Sequence, residues 1–97
     1  MNYEWDEVKA QSNLKNHHIS FEEATLIFED VFALELFDDE HSTINEQRFI
    51  RLGLANDKVL FVVYTVRGEN PEVYRLISAR SAEKDEEKIY WEERNEQ

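Results

Sequence analysis

Apolar and polar positions at the start of the chain follow a helical period. The pattern of Trp5, Val8 and Leu14, with polar residues between them, suits a short helix over residues 5–14. The stripe is narrow, because polar residues fill most of the positions between them. We therefore predict a short amphipathic helix over residues 5–14.

A second helix is predicted to begin at Ser20. Glu23 stands three residues later, at the spacing of a capping box, and Ile19 precedes the apolar run in the position of a hydrophobic staple. Residues 16–18, Asn-His-His, must reverse the chain between the two helices. Histidine and asparagine are among the few non-glycine residues that adopt positive φ, so we expect a tight turn there.

Four β-rich segments follow the helices, at residues 31–37, 48–54, 58–66 and 73–79. Acidic residues end the first segment, which we expect to form an edge strand. Residues 55–57 form a short turn that joins the second and third segments into a hairpin. Gly68, Asn70 and Pro71 mark the turn before the fourth.

A last helix is predicted to start with Ser81 as its cap and to run towards Glu93. Ala82, Ile89 and Tyr90 would lie on its buried side. Two N-terminal helices, four sequential strands and a C-terminal helix predict an α+β domain. The sheet should be an antiparallel meander with helices on one face, because short loops cannot make parallel crossovers.

The length of 97 residues fits one such domain over residues 1–97. Cysteine is absent, so neither a disulfide nor a thiolate metal site can form. The first residues lack the basic and apolar parts of a secretory signal, and no stretch reaches the roughly 20 apolar residues that cross a bilayer. We expect a cytoplasmic protein that does not act at a membrane.

The formal net charge of -11 argues against nucleic acid as a partner, because phosphates repel an acidic protein. The charge is unevenly distributed, however. Residues 1–40 hold eleven acids against two lysines, and residues 83–97 hold seven acids against three bases. Residues 41–82 hold four acids against six bases, so the positive charge is confined to the middle of the chain.

Five of the six bases in this middle region are arginines, and arginine binds phosphate through two parallel hydrogen bonds. The six are Arg48, Arg51, Lys58, Arg67, Arg75 and Arg80. The last three cluster around one turn and the ends of two adjacent predicted strands. An alternative interpretation is that these residues are solvated and paired with the abundant carboxylates.

Histidine is the side chain best suited to move a proton near neutral pH, and the chain has His17, His18 and His41. His17 and His18 are adjacent, so they make a poor chelate, although a metal site with Asp38 or Asp39 is an alternative. The sequence has no glycine-rich phosphate loop and no nucleophile elbow. These features favour a site without metal or cofactor that attacks a phosphodiester.

The order of the residues resembles the BrnT family of toxins from residue 3 to about residue 90. The residues that carry the resemblance are Tyr3, Glu4, Trp5, Asp6, Lys9, Asn13, His17, the run Ser20-Phe21-Glu22-Glu23-Ala24, Phe28, Asp30, Arg48, Gly53, Arg67, Gly68, Arg75, the run Ile77-Ser78-Ala79-Arg80, Ala82, Glu86 and Tyr90. One departure is the Asn-His-His of residues 16–18, where the family has a basic residue, histidine and glycine.

The resemblance implies a RelE-like fold and a ribonuclease that halts translation. It also implies a BrnA-type antitoxin with a ribbon-helix-helix domain, whose complex with the toxin represses its own promoter. DNA would then be contacted only through the antitoxin. A dimeric antitoxin would bring two copies of this chain into one hetero-oligomer.

The catalytic hypothesis is RNA cleavage without a metal ion. His17 would move a proton, Arg67, Arg75 and Arg80 would hold the phosphate, and Lys9 would assist. The rival hypothesis is a catalytically weak or inactive module that binds its antitoxin and acts only in autorepression, which the acidic charge favours. A metal-dependent hydrolase is a third class, and a chelator would abolish its activity.

Overall fold

The computed structural model describes residues 2–66 and 73–96. It is an α+β fold, as predicted, with five strands and three α-helices rather than four strands. A 3-10 helix, Thr25–Glu29, continues directly from the second α-helix. In chain order the elements are β1 (Asn2–Glu4), α1 (Glu7–His17), α2 (Phe21–Ala24), β2 (Leu34–Phe37), β3 (Gln47–Ala55), β4 (Lys58–Val66), β5 (Val73–Ser81) and α3 (Lys84–Asn95).

The strands form one sheet in the order β1-β5-β4-β3-β2. The meander from β2 to β5 is antiparallel, as predicted, and β2 lies at an edge. The prediction of a wholly antiparallel four-stranded sheet was wrong, because β1 pairs in parallel with β5 and aligns Glu4 with Arg75. A three-residue strand is too short to show a period, and the rest of the domain provides its crossover.

Helices cover both faces of the sheet, so the prediction of a single covered face was wrong. Leu60 and Val62 pack in a core cluster with residues of α1 and α2, whereas Val59 packs in a second cluster with Tyr90 of α3. Neighbouring strand residues point to opposite faces, which places these two clusters on opposite sides of β4. The nearly continuous apolar run of β4 is the pattern of a strand buried on both faces.

The first helix starts two residues later and ends three residues later than predicted. Asp6 caps it, accepting a 2.8 Å hydrogen bond from the Val8 N–H. The predicted reversal is confirmed at His18, which has φ of 60° and donates its backbone N–H to the Leu14 carbonyl at 2.9 Å. This turn ends α1 at His17 and reverses the direction of the chain before α2.

The second helix begins as predicted. The Ser20 hydroxyl accepts a 3.0 Å hydrogen bond from the Glu23 N–H, and Ile19 is buried beside it. The 3-10 helix that follows packs against β3 at Gly53, where a Cβ atom would lie only 2.7 Å from the Cβ of Ile27. The glycine therefore allows the helix to approach the sheet closely.

The last helix is capped by Glu83 rather than by Ser81, which is the final residue of β5. Glu83 and Glu86 form a reciprocal capping box, so glutamate takes the role that the prediction gave to serine. Tyr90 is fully buried, but Ile89 is 50% exposed and does not lie on the buried side as predicted. Within residues 2–66 and 73–96, no helix is long and apolar enough to cross a membrane.

Candidate functional site

The Asn13 side chain connects α1 to the outer edge of β5 by hydrogen bonds. The Asn13 amide nitrogen donates to the carbonyls of Ala79 at 2.8 Å and Ile19 at 2.9 Å, and its oxygen accepts from the Ala79 N–H at 3.0 Å. β1 pairs only with the first part of β5, so further along this edge Asn13 supplies the hydrogen bonds that a strand would make. The contact positions α1 beside β5.

A shallow, open pocket of about 210 Å³ lies where α1 meets β5. Its lining consists of Lys9, Ser12, Asn13, Asn16 and His17 from α1 and Ile77 from β5. Lys9, Asn13 and His17 are spaced four residues apart and so share one side of the helix. Among the described residues, the side chains of Lys9 and His17 make no hydrogen bond or ion pair, which leaves both available to a ligand.

The residues that line the pocket are neutral or basic, although the chain carries a net charge of -11. Of the described residues that line it, none is an aspartate or glutamate. An anion can therefore approach Lys9 and His17 without meeting a carboxylate at the pocket wall. The lining also offers hydroxyl and amide groups, which can bind the oxygens of a phosphate or a sugar.

Ile77 reaches the pocket from an irregularity in β5. Val63 pairs with Ser78 and Tyr64 pairs with Leu76, so Ile77 is the extra residue of a β-bulge. Bulges redirect side chains and are frequent beside active sites. Here the bulge bends β5 at the point where Ile77 lines the pocket with Lys9 and His17.

Arg75 lies two residues before the bulge. Its neighbour Tyr74 packs against Phe28, at 5.2 Å between ring centroids, so Arg75 points to the opposite face, which α3 partly covers. The guanidinium is 3.6 Å from the Glu4 carboxylate, and both side chains are partly exposed. An exposed pair of this length is weak, so Arg75 can exchange Glu4 for another anion at little cost.

Arg80 is held more firmly. Its guanidinium donates two hydrogen bonds, of 2.8 and 3.0 Å, to the Glu86 carboxylate and lies 3.9 Å from the centre of the Phe61 ring. The hydrogen bond to Glu86 raises the pKa of Arg80, and the same bond lowers the pKa of Glu86. Arg80 therefore joins β5 to the first turn of α3, away from the pocket.

The sequence-predicted site is thus only partly assembled at one place. Lys9 and His17 share the pocket, whereas Arg75 points to the opposite face of β5 beside Glu4 and Arg80 is engaged with α3. Arg67 lies outside the described residues. The alternative metal site is not formed in the described part of the chain, where no three His, Asp or Glu side chains are grouped to hold an ion.

Comparison with known proteins identifies the family. The sequence model described as ribonuclease toxin, BrnT, of type II toxin-antitoxin systems matches residues 5–86. The chain belongs to the BrnT family. No curated protein matches the chain. A solved structure does, and it is the 1.1 Å crystal structure of the Brucella abortus ribonuclease toxin BrnT.

The fold of this BrnT-family chain is similar to that crystal structure. The TM-score is 0.64 at 27% sequence identity, and the match covers 87% of this chain and 99% of the Brucella chain. The family match includes α1, the pocket and β5, so the elements that form the candidate site belong to the shared part of the chain. A type II system includes an antitoxin, so the chain has such a partner.

Reasoning from the sequence found the histidine and the lysine of the pocket but assigned no role to Asn13. Its burial, at 6% exposure, and its three hydrogen bonds make it the residue that positions the other two. The available signal was its spacing, midway between Lys9 and His17 on one helical side. The Ile77 bulge had no comparable signal, because its neighbours read as a regular strand.

Proposed function

We propose that this BrnT-family protein cleaves RNA at the pocket between α1 and β5. The observation that carries the proposal is the lining of that pocket. Among the described residues, Lys9 and His17 both line it without a hydrogen-bond or ion-pair partner, and no carboxylate lines it. An imidazole and nearby cations are the groups needed for proton transfer at a phosphodiester. The proposed substrate is an RNA strand in the cytoplasm.

In the proposed reaction the ribose 2'-oxygen attacks the adjacent phosphorus. The new bond joins the 2'-oxygen to phosphorus, the bond from phosphorus to the 5'-oxygen breaks, and the 2'-hydroxyl proton passes to the His17 imidazole. The departing 5'-oxygen takes up a proton from water, and the His17 imidazole returns its proton to the solvent, which leaves a 2',3'-cyclic phosphate and a 5'-hydroxyl. DNA lacks the 2'-hydroxyl and is not cleaved by this route.

Lys9 is proposed to hold the phosphate and to offset the charge that develops on it. Arg75 points to the opposite face of β5, so it is proposed to bind a phosphate only where the RNA strand passes around this strand. Removing one such group costs about 100- to 1,000-fold in rate. Arg67 is proposed to contact the same strand of RNA. Arg80 can reach a phosphate only when it leaves Glu86, so its contribution to cleavage depends on that pair opening. None of these steps calls for a metal ion.

The test compares matched variants of the same residue type. His17→Ala should lower RNA cleavage by about 100-fold or more. His41→Ala is the control, because His41 is an exposed histidine bound to Asp38 and lies outside the pocket. Lys9→Ala should also slow cleavage, with Lys15→Ala as the control from the same helix. Growth arrest without antitoxin and the 2',3'-cyclic ends of the RNA are the two measurements.

Equal cleavage by the parent and by His17→Ala would contradict the assigned site. If the parent itself neither cleaves RNA nor arrests growth, the chain is instead the second candidate, an inactive module that binds its antitoxin. The charge of -11 favours that candidate, because it opposes approach to a polyanion. Cleavage that stops in the presence of a chelator would favour a metal-dependent enzyme.

The partner is proposed to be a BrnA-type antitoxin with a ribbon-helix-helix domain. Such domains are dimeric, so the complex would hold two copies of this chain and would contact DNA through the antitoxin alone. RNA cleavage by the free toxin is proposed to halt translation. The mass of the purified complex and the binding of promoter DNA with and without antitoxin test these points.

A further inference from the structure

An apolar groove of about 330 Å³ lies on the α3 face of the sheet, between β2 and α3. Leu36, Ile50 and Ile89 are among the aliphatic side chains that line it. Leu36 is 61% exposed and Ile89 is 50% exposed, so the groove is open to solvent. Adjacent exposed apolar side chains of this kind mark sites of protein association more often than isolated ones do.

The groove lies beside the open edge of the sheet. The Asp38 N–H donates to the Arg48 carbonyl at 2.8 Å, which continues the antiparallel β2–β3 ladder by one residue. Hydrogen-bonding positions alternate along such a ladder, so the backbone groups of Glu35 and Phe37 point away from β3. β2 is the last strand in the sheet order, and an open strand edge can pair with another chain.

The surroundings of the groove are acidic. Residues 34–40 contain four acids and no base, and residues 83–97 contain seven acids and three bases. Glu93 of α3 lines the groove directly. An apolar floor with an acidic rim repels RNA and favours a polypeptide that carries both aliphatic and basic side chains.

We propose that a segment of the antitoxin adds to β2 as a further strand. It would bond the outward backbone groups of Glu35 and Phe37. Alternate aliphatic side chains would enter the groove beside Leu36, and its basic side chains would meet the acids around it. The inference rests on the antitoxin that a type II toxin requires, and it does not depend on where RNA is cleaved.

The groove lies on the α3 face of the sheet, whereas the proposed cleavage pocket is formed by α1 and by Ile77 of β5, and the two share no lining residue. A short segment bound at β2 therefore leaves the pocket with Lys9 and His17 uncovered. Anchoring of the antitoxin and inhibition of the toxin are consequently separable. An isolated strand-forming peptide should bind without stopping cleavage.

The first experiment measures antitoxin affinity by calorimetry on the full chain. Leu36→Glu and Ile89→Glu should each weaken the binding of the cognate antitoxin at least about tenfold. Leu14→Glu is the control, because Leu14 is 51% exposed on α1 and no residue of α1 lines the groove. Equal affinity for all three variants would overturn the proposal. Circular dichroism confirms that each variant is folded.

The second experiment locates the bound strand by amide hydrogen exchange. The probes are a six-residue peptide of alternating leucine and lysine and a matched peptide of alternating leucine and glutamate. The leucine-lysine peptide should slow exchange at the Glu35 and Phe37 amides, and the leucine-glutamate peptide should not. Protection of these amides in the free chain at high concentration would instead show that a second copy occupies the edge, and would overturn the proposal.

The two proposals fail separately. If the pocket is not catalytic, His17→Ala cleaves RNA as the parent does, yet antitoxin affinity still responds to Leu36→Glu. If the groove is not the docking site, Leu36→Glu is neutralised by the antitoxin as the parent is, and RNA cleavage is unaffected. Competition between RNA and the leucine-lysine peptide for the β2 edge would also overturn the docking proposal.

Discussion

Asn13 connects α1 to β5 through its side-chain amide, and alanine at this position removes all three of its hydrogen bonds. The bonds join it to the Ile19 carbonyl and to both backbone groups of Ala79, and the residue is only 6% exposed. Each lost bond costs about 1 kcal/mol, so Asn13→Ala should lower the free energy of unfolding by about 3 kcal/mol. Proteins of this size are stable by about 5–15 kcal/mol.

Urea unfolding, followed by far-ultraviolet circular dichroism, measures this loss. Asn16→Ala is the matched control, because Asn16 is an exposed asparagine on the same helix and should change stability by no more than about 0.5 kcal/mol. Asn13→Asp should be less stable than the parent as well, since a carboxylate cannot donate to the two carbonyls. If Asn13→Ala were as stable as Asn16→Ala, the amide would not be what holds α1 in place.

Two further substitutions test the packing around β3. Gly53→Ala places a methyl group 2.7 Å from the Cβ of Ile27 and should cost about 1–3 kcal/mol, so an unchanged Tm would contradict the close packing of the 3-10 helix. Burial raises the pKa of Asp30, but hydrogen bonds from Tyr90 and from two backbone N–H groups outweigh it and hold the pKa below its ordinary value of 3.8. The stability that Asp30 contributes is therefore present above about pH 4 and is lost as the pH falls through the lowered pKa, so Asp30→Asn should show a smaller loss of stability in acid than the parent.

The local signals in the sequence were reliable where one residue type sets the backbone. Ser20 and Glu23 marked the start of α2, and the helical reversal fell at His18, which adopts the positive φ that histidine tolerates. The meander of β2 to β5 followed from short turns and apolar strands. These features depend on neighbours in the chain, and neighbours are what a sequence pattern records.

The signals failed where partners are distant in sequence. β1 is only three residues long and is a strand because it pairs with Val73–Arg75, so its own residues could not predict it. Sequence reasoning grouped Arg75 with Arg80 for the phosphate. The structure gives Arg80 a carboxylate partner in α3, which the spacing of bases along the chain does not indicate.

The Asn13 contact was missed for the same reason, since it joins residues 66 positions apart. The proposed catalytic pair was recognisable because Lys9 and His17 lie on one helix. The part of β5 beside these two residues could not be recognised from the sequence. It contains a bulge, and the bulge depends on the register between β4 and β5.

The parallel pairing of β1 with β5 has a consequence for how the toxin comes into existence. Residues 2–4 cannot pair as a strand until residues 73–75 have been synthesised. A nascent chain that has emerged only as far as β4 already carries the lysine and the histidine of α1. It lacks the strand against which they are positioned, so the proposed ribonuclease activity begins only after β5 has been synthesised.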